Sequence, residues 1–144
     1  MSVRVGIVSF AHVHSPAYAG VLRDLAAADF VGITDEDTSR GAEAAQQFGV
    51  RFFDNADSMF EEIDAVVVCS ENNNHARDVI PALQGGVHVL CEKPIATTVE
   101  DARAMIRASE NSGSQLRTAF PVRYLRWPVR GRSFAAEPWV ACWP

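Results

Sequence analysis

The chain has 144 residues, 48% of them apolar and 22% charged, and a formal net charge of −5. That length suits one domain with a sizeable core, and the composition is that of a soluble globular protein. The acidic charge without any basic run argues against a nucleic-acid surface. No run approaches membrane-spanning length and no leader segment precedes the first strand-like residues, so a cytoplasmic protein with no membrane partner is expected.

Residues 3–8 read as a first strand, with Gly6 permitting close backbone approach. A helix is expected over 16–27, with Pro16 in its first turn and Tyr18, Val21, Leu22 and Leu25 on its apolar face. A second strand, 30–34, ends in Asp35. Thr38 is placed to cap a helix that runs to Phe48 and stops at Gly49. A short third strand at 50–53 leads into a turn and a short helix, with Met59, Phe60 and Ile63 facing inward. Residues 65–68, Ala-Val-Val-Val, form a continuous apolar run of the kind that a strand buried on both faces shows. A helix from His75 to Leu83 closes at Gly85-Gly86, and a fifth strand begins at Val87 and leads into Glu92-Lys93. Thr98 caps a helix reaching about Asn111, with Val99, Ala102, Met105 and Ile106 as its apolar face and Gly113 at its end. A sixth strand covers 116–120.

This alternation implies an α/β domain with a doubly wound, mostly parallel, Rossmann-like sheet in three α/β/α layers, of strand order 3-2-1-4-5-6. Its polar groups gather where the strands end, which is where open parallel sheets place their ligands. Lys93, beside Glu92 at one such end, is the first candidate for chemistry. Cys69 and Cys91 end apolar strands and Cys142 stands apart. No zinc spacing links the three, so they read as reduced structural thiols.

The first strand is followed by Ser9-Phe10-Ala11-His12-Val13-His14-Ser15-Pro16. A dinucleotide fingerprint asks for Gly-x-Gly-x-x-Gly here and an acid about 20 residues further on. The frame is present, with Asp35 as the acid, but Ser9, Ala11 and His14 stand where the glycines belong. Ser and Ala are the smallest substitutes. The bulky His14 should push the helix out or swing its ring away. An ordinary βα turn fits the loop as well. So does a reading in which His12 and His14 face phosphate or substrate. His12, His14 and His75 raise the thought of a metal, but a metal site needs three or more convergent ligands. Capping or surface histidines are expected instead, and no metal is assigned. Asp35 suits the two hydroxyls of an adenosine ribose and repels a 2′-phosphate, which favours NAD over NADP unless Arg40 folds back onto it.

The pieces Arg4-Val5-Gly6-Ile7-Val8, Asp35, residues 70–75, Gly86 through Pro94 with Cys91-Glu92-Lys93-Pro94, and residues 118–124 together resemble the N-terminal domain of the glucose–fructose oxidoreductase, inositol dehydrogenase and rhizopine-catabolism family. The resemblance implies a nucleotide-binding domain of an oxidoreductase that takes hydride from a sugar, polyol or related hydroxyl compound. It maps proton transfer at the reacting hydroxyl to Lys93, with His75 as a second catalytic candidate, and makes Pro94 the residue that stiffens the loop. Glu92 maps to the nicotinamide region, and Asn72 and His75 to the cofactor's ribose. Arg123, where the chain leaves toward substrate, and Lys93 are also expected to contact the cofactor. Ser9, Phe10, Ala11, His12, His14, Asp35 and Ser70 complete the expected cofactor contacts. For residues 72–75, a turn with a helix cap is the plainer reading. A desolvated lysine can serve as base or stabilise a developing alkoxide, while Glu92 as a partner would favour the charged lysine.

The resemblance covers about 3–124, so 1–124 is expected to be the nucleotide-binding domain. Residues 125–144 carry all three tryptophans and read as a non-native or disordered tail, the product of a shifted reading frame. The family's second, substrate-binding domain is expected to be absent from this chain. The chain alone is expected to turn over little, and oligomerisation through that domain is not expected. The alternatives are a non-catalytic nucleotide-binding or regulatory module and a truncated product without independent role.

Overall fold

The computed structural model describes residues 2–120, so Arg123, the domain boundary at 124 and the tail at 125–144 lie outside the described residues. Strands and helices alternate strictly: β1 Val3–Val8, α1 Ser15–Asp24, β2 Ala28–Thr34, α2 Thr38–Phe48, β3 Arg51–Phe53, α3 Ala56–Phe60, β4 Ala65–Val68, α4 His75–Gln84, β5 His88–Glu92, α5 Val99–Ser112 and β6 Leu116–Ala119. The six strands form one sheet of order β3-β2-β1-β4-β5-β6, as expected, and every neighbouring pair is parallel.

The β4 run explains the layering. Successive side chains of a strand point to opposite faces. Val66 and Val68 join Met59 of α3, Val79 and Leu83 of α4, and Met105 of α5. Val67 joins Ile7, Ile33, Ala19 of α1 and Ala44 and Ala45 of α2 on the other face. The sheet is thus the middle of three layers. Leu83 and Met105 are fully buried, and truncating either to alanine costs about 2–5 kcal/mol.

Caps follow local chemistry. The Thr98 hydroxyl accepts from Asp101 N at 3.1 Å, and Gly113 ends α5 in a left-handed conformation, φ 76°. At α2 the cap is Asp37 rather than Thr38, with the Asp37 carboxylate accepting from Arg40 N at 3.0 Å. The apolar face assigned to α1 is also corrected. The helix stops at Asp24, and Val21 and Leu25 are 61% and 48% exposed. It lies on the sheet through Ser15 and Ala19, so small residues set the contact and the larger Tyr18 and Leu22 flank it. On α5, Met105 and Ala108 point inward while Val99 and Ile106 are largely exposed.

Because the sheet is parallel, the C-terminal ends of all strands share one edge. Val8 pairs with Thr34 and with Val68, and Val68 with Cys91. The residues one step further on, Ser9, Asp35, Cys69 and Glu92, therefore line that edge. The strand order reverses at β1, between β2 and β4, which is where such folds open a crevice.

Candidate functional site

The β1–α1 loop takes the dinucleotide frame without its glycines. Ser9 adopts φ 69°, the left-handed region in which glycine is the default. Its hydroxyl accepts from Ala11 N at 3.1 Å and donates to Asp35 Oδ2 at 3.4 Å, so the side chain is drawn into the turn it strains. Phe10 is half-buried against Phe48, ring centroids 5.9 Å apart. His12 N donates to Cys69 O at 3.1 Å and ties the loop to the end of β4. His14 occupies the capping position of α1, but its side chain caps nothing. Its ring swings away from the helix–strand contact and meets Glu92, Nδ1 to Oε1 2.8 Å. The His12 and His14 rings pack edge to face, with centroids 4.7 Å apart.

Asp35 is fully engaged. Oδ2 accepts from Phe10 N at 2.7 Å and Arg40 Nε at 2.9 Å, and Oδ1 from Asp37 N at 3.0 Å and Arg40 Nη2 at 2.6 Å. The Asp35 side chain is 0% exposed and that of Arg40 34%. Burial alone would raise this carboxyl, but the guanidinium and the two amides outweigh it and hold it below its ordinary value. Arg40 has thus folded back from α2, the condition under which the preference for NAD is offset.

Beside this pair lies a cleft of about 310 Å³, lined among others by Ser9, Asp35, Glu36, Asn55, Ser70 and Arg77. Ser70 is 2% exposed and its Oγ has no hydrogen-bond partner. Buried hydroxyls are seldom left so, and an oxygen or nitrogen of a molecule in the cleft would satisfy it. Arg77 holds Glu36 and Asp78 at the rim. Asn72 is exposed in the turn before α4.

His75 is 0% exposed, with Nδ1 2.9 Å from Pro94 O and Nε2 3.2 Å from Ser70 O. The ring is a strut between the loops after β4 and β5. It is fully buried and braces the crevice walls. Glu92 faces neither solvent nor the Lys93 ammonium. Its Oε1 accepts from Tyr18 Oη at 2.7 Å and meets His14, and its Oε2 accepts from Lys93 N at 2.9 Å. Burial pushes this carboxyl up; the bonds from His14, Tyr18 and the Lys93 amide overcome that and leave it lowered. Lys93 is half-buried at the mouth, and the Lys93–Pro94 peptide is cis. Burial also pushes the thiols of Cys69 and Cys91 up to about 12, in keeping with inert structural cysteines.

Sequence reading brought out the loop, Asp35, Ser70 and the Glu92-Lys93 pair. It missed Tyr18 and left Arg40 undecided. Tyr18 had one usable signal: it lies four residues after His14, on the same face of a helical turn.

Among the described residues no helix is long and apolar enough to cross a membrane. Residues 3–120 match the sequence model of the oxidoreductase family with an NAD-binding Rossmann fold. Inositol 2-dehydrogenase 3 of Saccharopolyspora erythraea is 33% identical over 127 residues, 86% of this chain and 38% of that protein. The solved structure of UDP-N-acetylglucosamine 3-dehydrogenase GnnA from Acidithiobacillus ferrooxidans superposes with a TM-score of 0.72 at 29% identity, covering 82% of this chain and 38% of that one. WlbA dehydrogenase from Bordetella pertussis, solved with NADH and UDP-GlcNAcA, gives 0.76 at 28% identity, covering 83% and 37%. The chain spans less than two-fifths of the length of each of these proteins. It belongs to the oxidoreductase family with an NAD-binding Rossmann fold.

Proposed function

We propose that this member of the family is the cofactor-binding part of a cytoplasmic NAD(P)-dependent oxidoreductase acting on a sugar, polyol or related small hydroxyl compound. The observation that carries the reading is the convergence of Ser9, Asp35, Ser70, Glu92 and Lys93 at one edge of the sheet, at its switch point. The residues present fit such a cofactor. The unpartnered Ser70 Oγ and the cleft beside Asp35 suit its adenosine half. The loop from Ser9 to His14 stands at its diphosphate, and Lys93 with the buried Glu92 at its nicotinamide end.

A bound nicotinamide supplies the hydride acceptor. Lys93 stands where it can take the proton of the reacting hydroxyl or stabilise the alkoxide as it forms. His75 is a positioning residue, since its ring fixes Ser70 and Pro94 in place. Arg123, expected as a cofactor contact where the chain leaves toward substrate, lies outside the described residues. The expectation of NAD over NADP rested on a free Asp35 carboxylate. With Arg40 on it, the ribose hydroxyls must displace a guanidinium, and that guanidinium can meet a 2′-phosphate. The two cofactors therefore bind with similar affinity.

Calorimetric titration of the chain with NADH and NADPH tests this. Weak saturable binding of both is expected. No binding of either would leave the alternative, a family domain that keeps the sheet and has lost the cofactor.

A further inference from the structure

The β1–α1 loop and the end of β5 bring together three groups that the cofactor reading does not require to meet. One ligand atom each from His12, His14 and Glu92 lies within 4.8 Å of the other two. We propose that these three residues form a binding site for a divalent first-row transition cation of the zinc class. The site stands on its own geometry, whether or not the chain takes a dinucleotide.

The donor set selects the ion. Two imidazoles and a carboxylate suit zinc and its neighbours, whereas calcium and magnesium prefer all-oxygen shells. Ligand atoms about 2.0–2.2 Å from a tetrahedral ion lie roughly 3.4 Å from one another. Glu92 Oε1 is 2.8 Å from His14 Nδ1 and 3.9 Å from His12 Nδ1, on either side of that spacing. His12 Nδ1 accepts from His14 N at 3.2 Å, a bond that an ion at this atom replaces.

The surroundings also suit a site. Glu92 is 0% exposed, so an ion beside it meets a desolvated carboxylate rather than one surrounded by water. Its two oxygens are oriented from behind, Oε1 by the Tyr18 hydroxyl and Oε2 by the Lys93 amide. Metal-ligating carboxylates usually have such outer partners. Burial is the main influence on His12 and holds it below its ordinary value, toward the neutral ring that ligates a metal. The His14 side chain is 41% exposed, which gives an ion a path in. Three protein ligands leave a fourth position for a water or an oxygen of a hydroxyl compound. The simpler reading is a hydrogen-bonded His14–Glu92 pair without an ion, and the experiment separates the two.

The 144-residue chain, stripped with a chelator and carrying Cys142→Ser so that only the buried thiols of Cys69 and Cys91 remain, is titrated calorimetrically with Zn²⁺. Co²⁺ is followed in parallel by its visible d–d absorption, with no dinucleotide present. One ion per chain is expected. His14→Ala and Glu92→Gln should each weaken binding beyond the roughly 10–100-fold of an outer-shell change, and Tyr18→Phe should fall within that range. His88→Ala, at the opposite end of β5, should bind like the parent. Circular dichroism checks each fold, and His12→Ala replaces Glu92→Gln if the latter unfolds. No binding by the parent overturns the proposal. So does binding that survives loss of His12 and His14, or binding that disappears with His88.

Discussion

At the β2 end of the crevice a fully buried carboxylate, Asp35, is held by Arg40 and two backbone amides. At the β5 end a second fully buried carboxylate, Glu92, is held by His14, Tyr18 and one amide. Asp35 stands one residue past β2 and Glu92 is the last residue of β5, and the two differ in their partners. A guanidinium is a permanent cation with a fixed fork, so the β2 end is a locked ion pair. An imidazole and a phenol can exchange their bonds to the carboxylate for bonds to something else, so the β5 end can rearrange. The proposed function assigns binding and cofactor choice to the first end and proton movement to the second.

The largest effect should separate these roles. In an assembled enzyme carrying this domain, Lys93→Met should lower kcat by about 10²–10⁴-fold and change the dissociation constant of NADH little. Steady-state kinetics beside a binding titration check this; equal losses in both would make Lys93 a binding residue. At the β2 end, Asp35→Ala should weaken NADH binding and leave kcat at saturating cofactor nearly unchanged.

A smaller effect tests the lock. Arg40→Ala should destabilise the chain by about 1–3 kcal/mol in urea unfolding, less than for a fully buried pair because Arg40 is a third exposed. It should also shift the NADPH-to-NADH affinity ratio toward NADH by about tenfold, one charge-assisted contact's worth. An unchanged ratio would remove Arg40 from cofactor choice. Because Asp35 is held below its ordinary value of 3.8, its contribution to stability is complete above that pH and is lost as pH falls through the lowered value. The urea midpoints of the parent and Asp35→Asn should therefore differ at neutral pH and converge in acid. The smallest effect is an absence: Cys69 and Cys91, buried and with thiols pushed up to about 12, should not react with a thiol reagent until the chain unfolds.

Much of this was legible in the sequence because local pattern decides it. The strand order follows from strict alternation, and Thr98 and Gly113 mark the ends of α5 by their own chemistry. What was not legible depends on pairs far apart in the chain. His14 and Glu92 are 78 positions apart, and Tyr18 and Glu92 are 74. No spacing rule joins them, and only the parallel register sets the end of β5 beside the start of α1. His75 was a catalytic candidate through the family resemblance alone. It is buried because the loop after β5 folds over it and lays Pro94 O on its ring. Val21 and Leu25 fit a helical apolar stripe, yet α1 meets the sheet through Ala19, and a hydrophobic pattern does not reveal a contact made by small residues.

The proposed function lays a dinucleotide across the C-terminal ends of β1, β2, β4 and β5. Amide chemical shifts of the isotope-labelled chain, followed during addition of NADH, read that position residue by residue. Changes should cluster at residues 9–14, at Asp35, at residues 70–75 and at Glu92 and Lys93, fast in exchange because binding is weak. Changes confined to the opposite edge of the sheet, around Val3, Asp64, His88 and Gln115, would rule that position out.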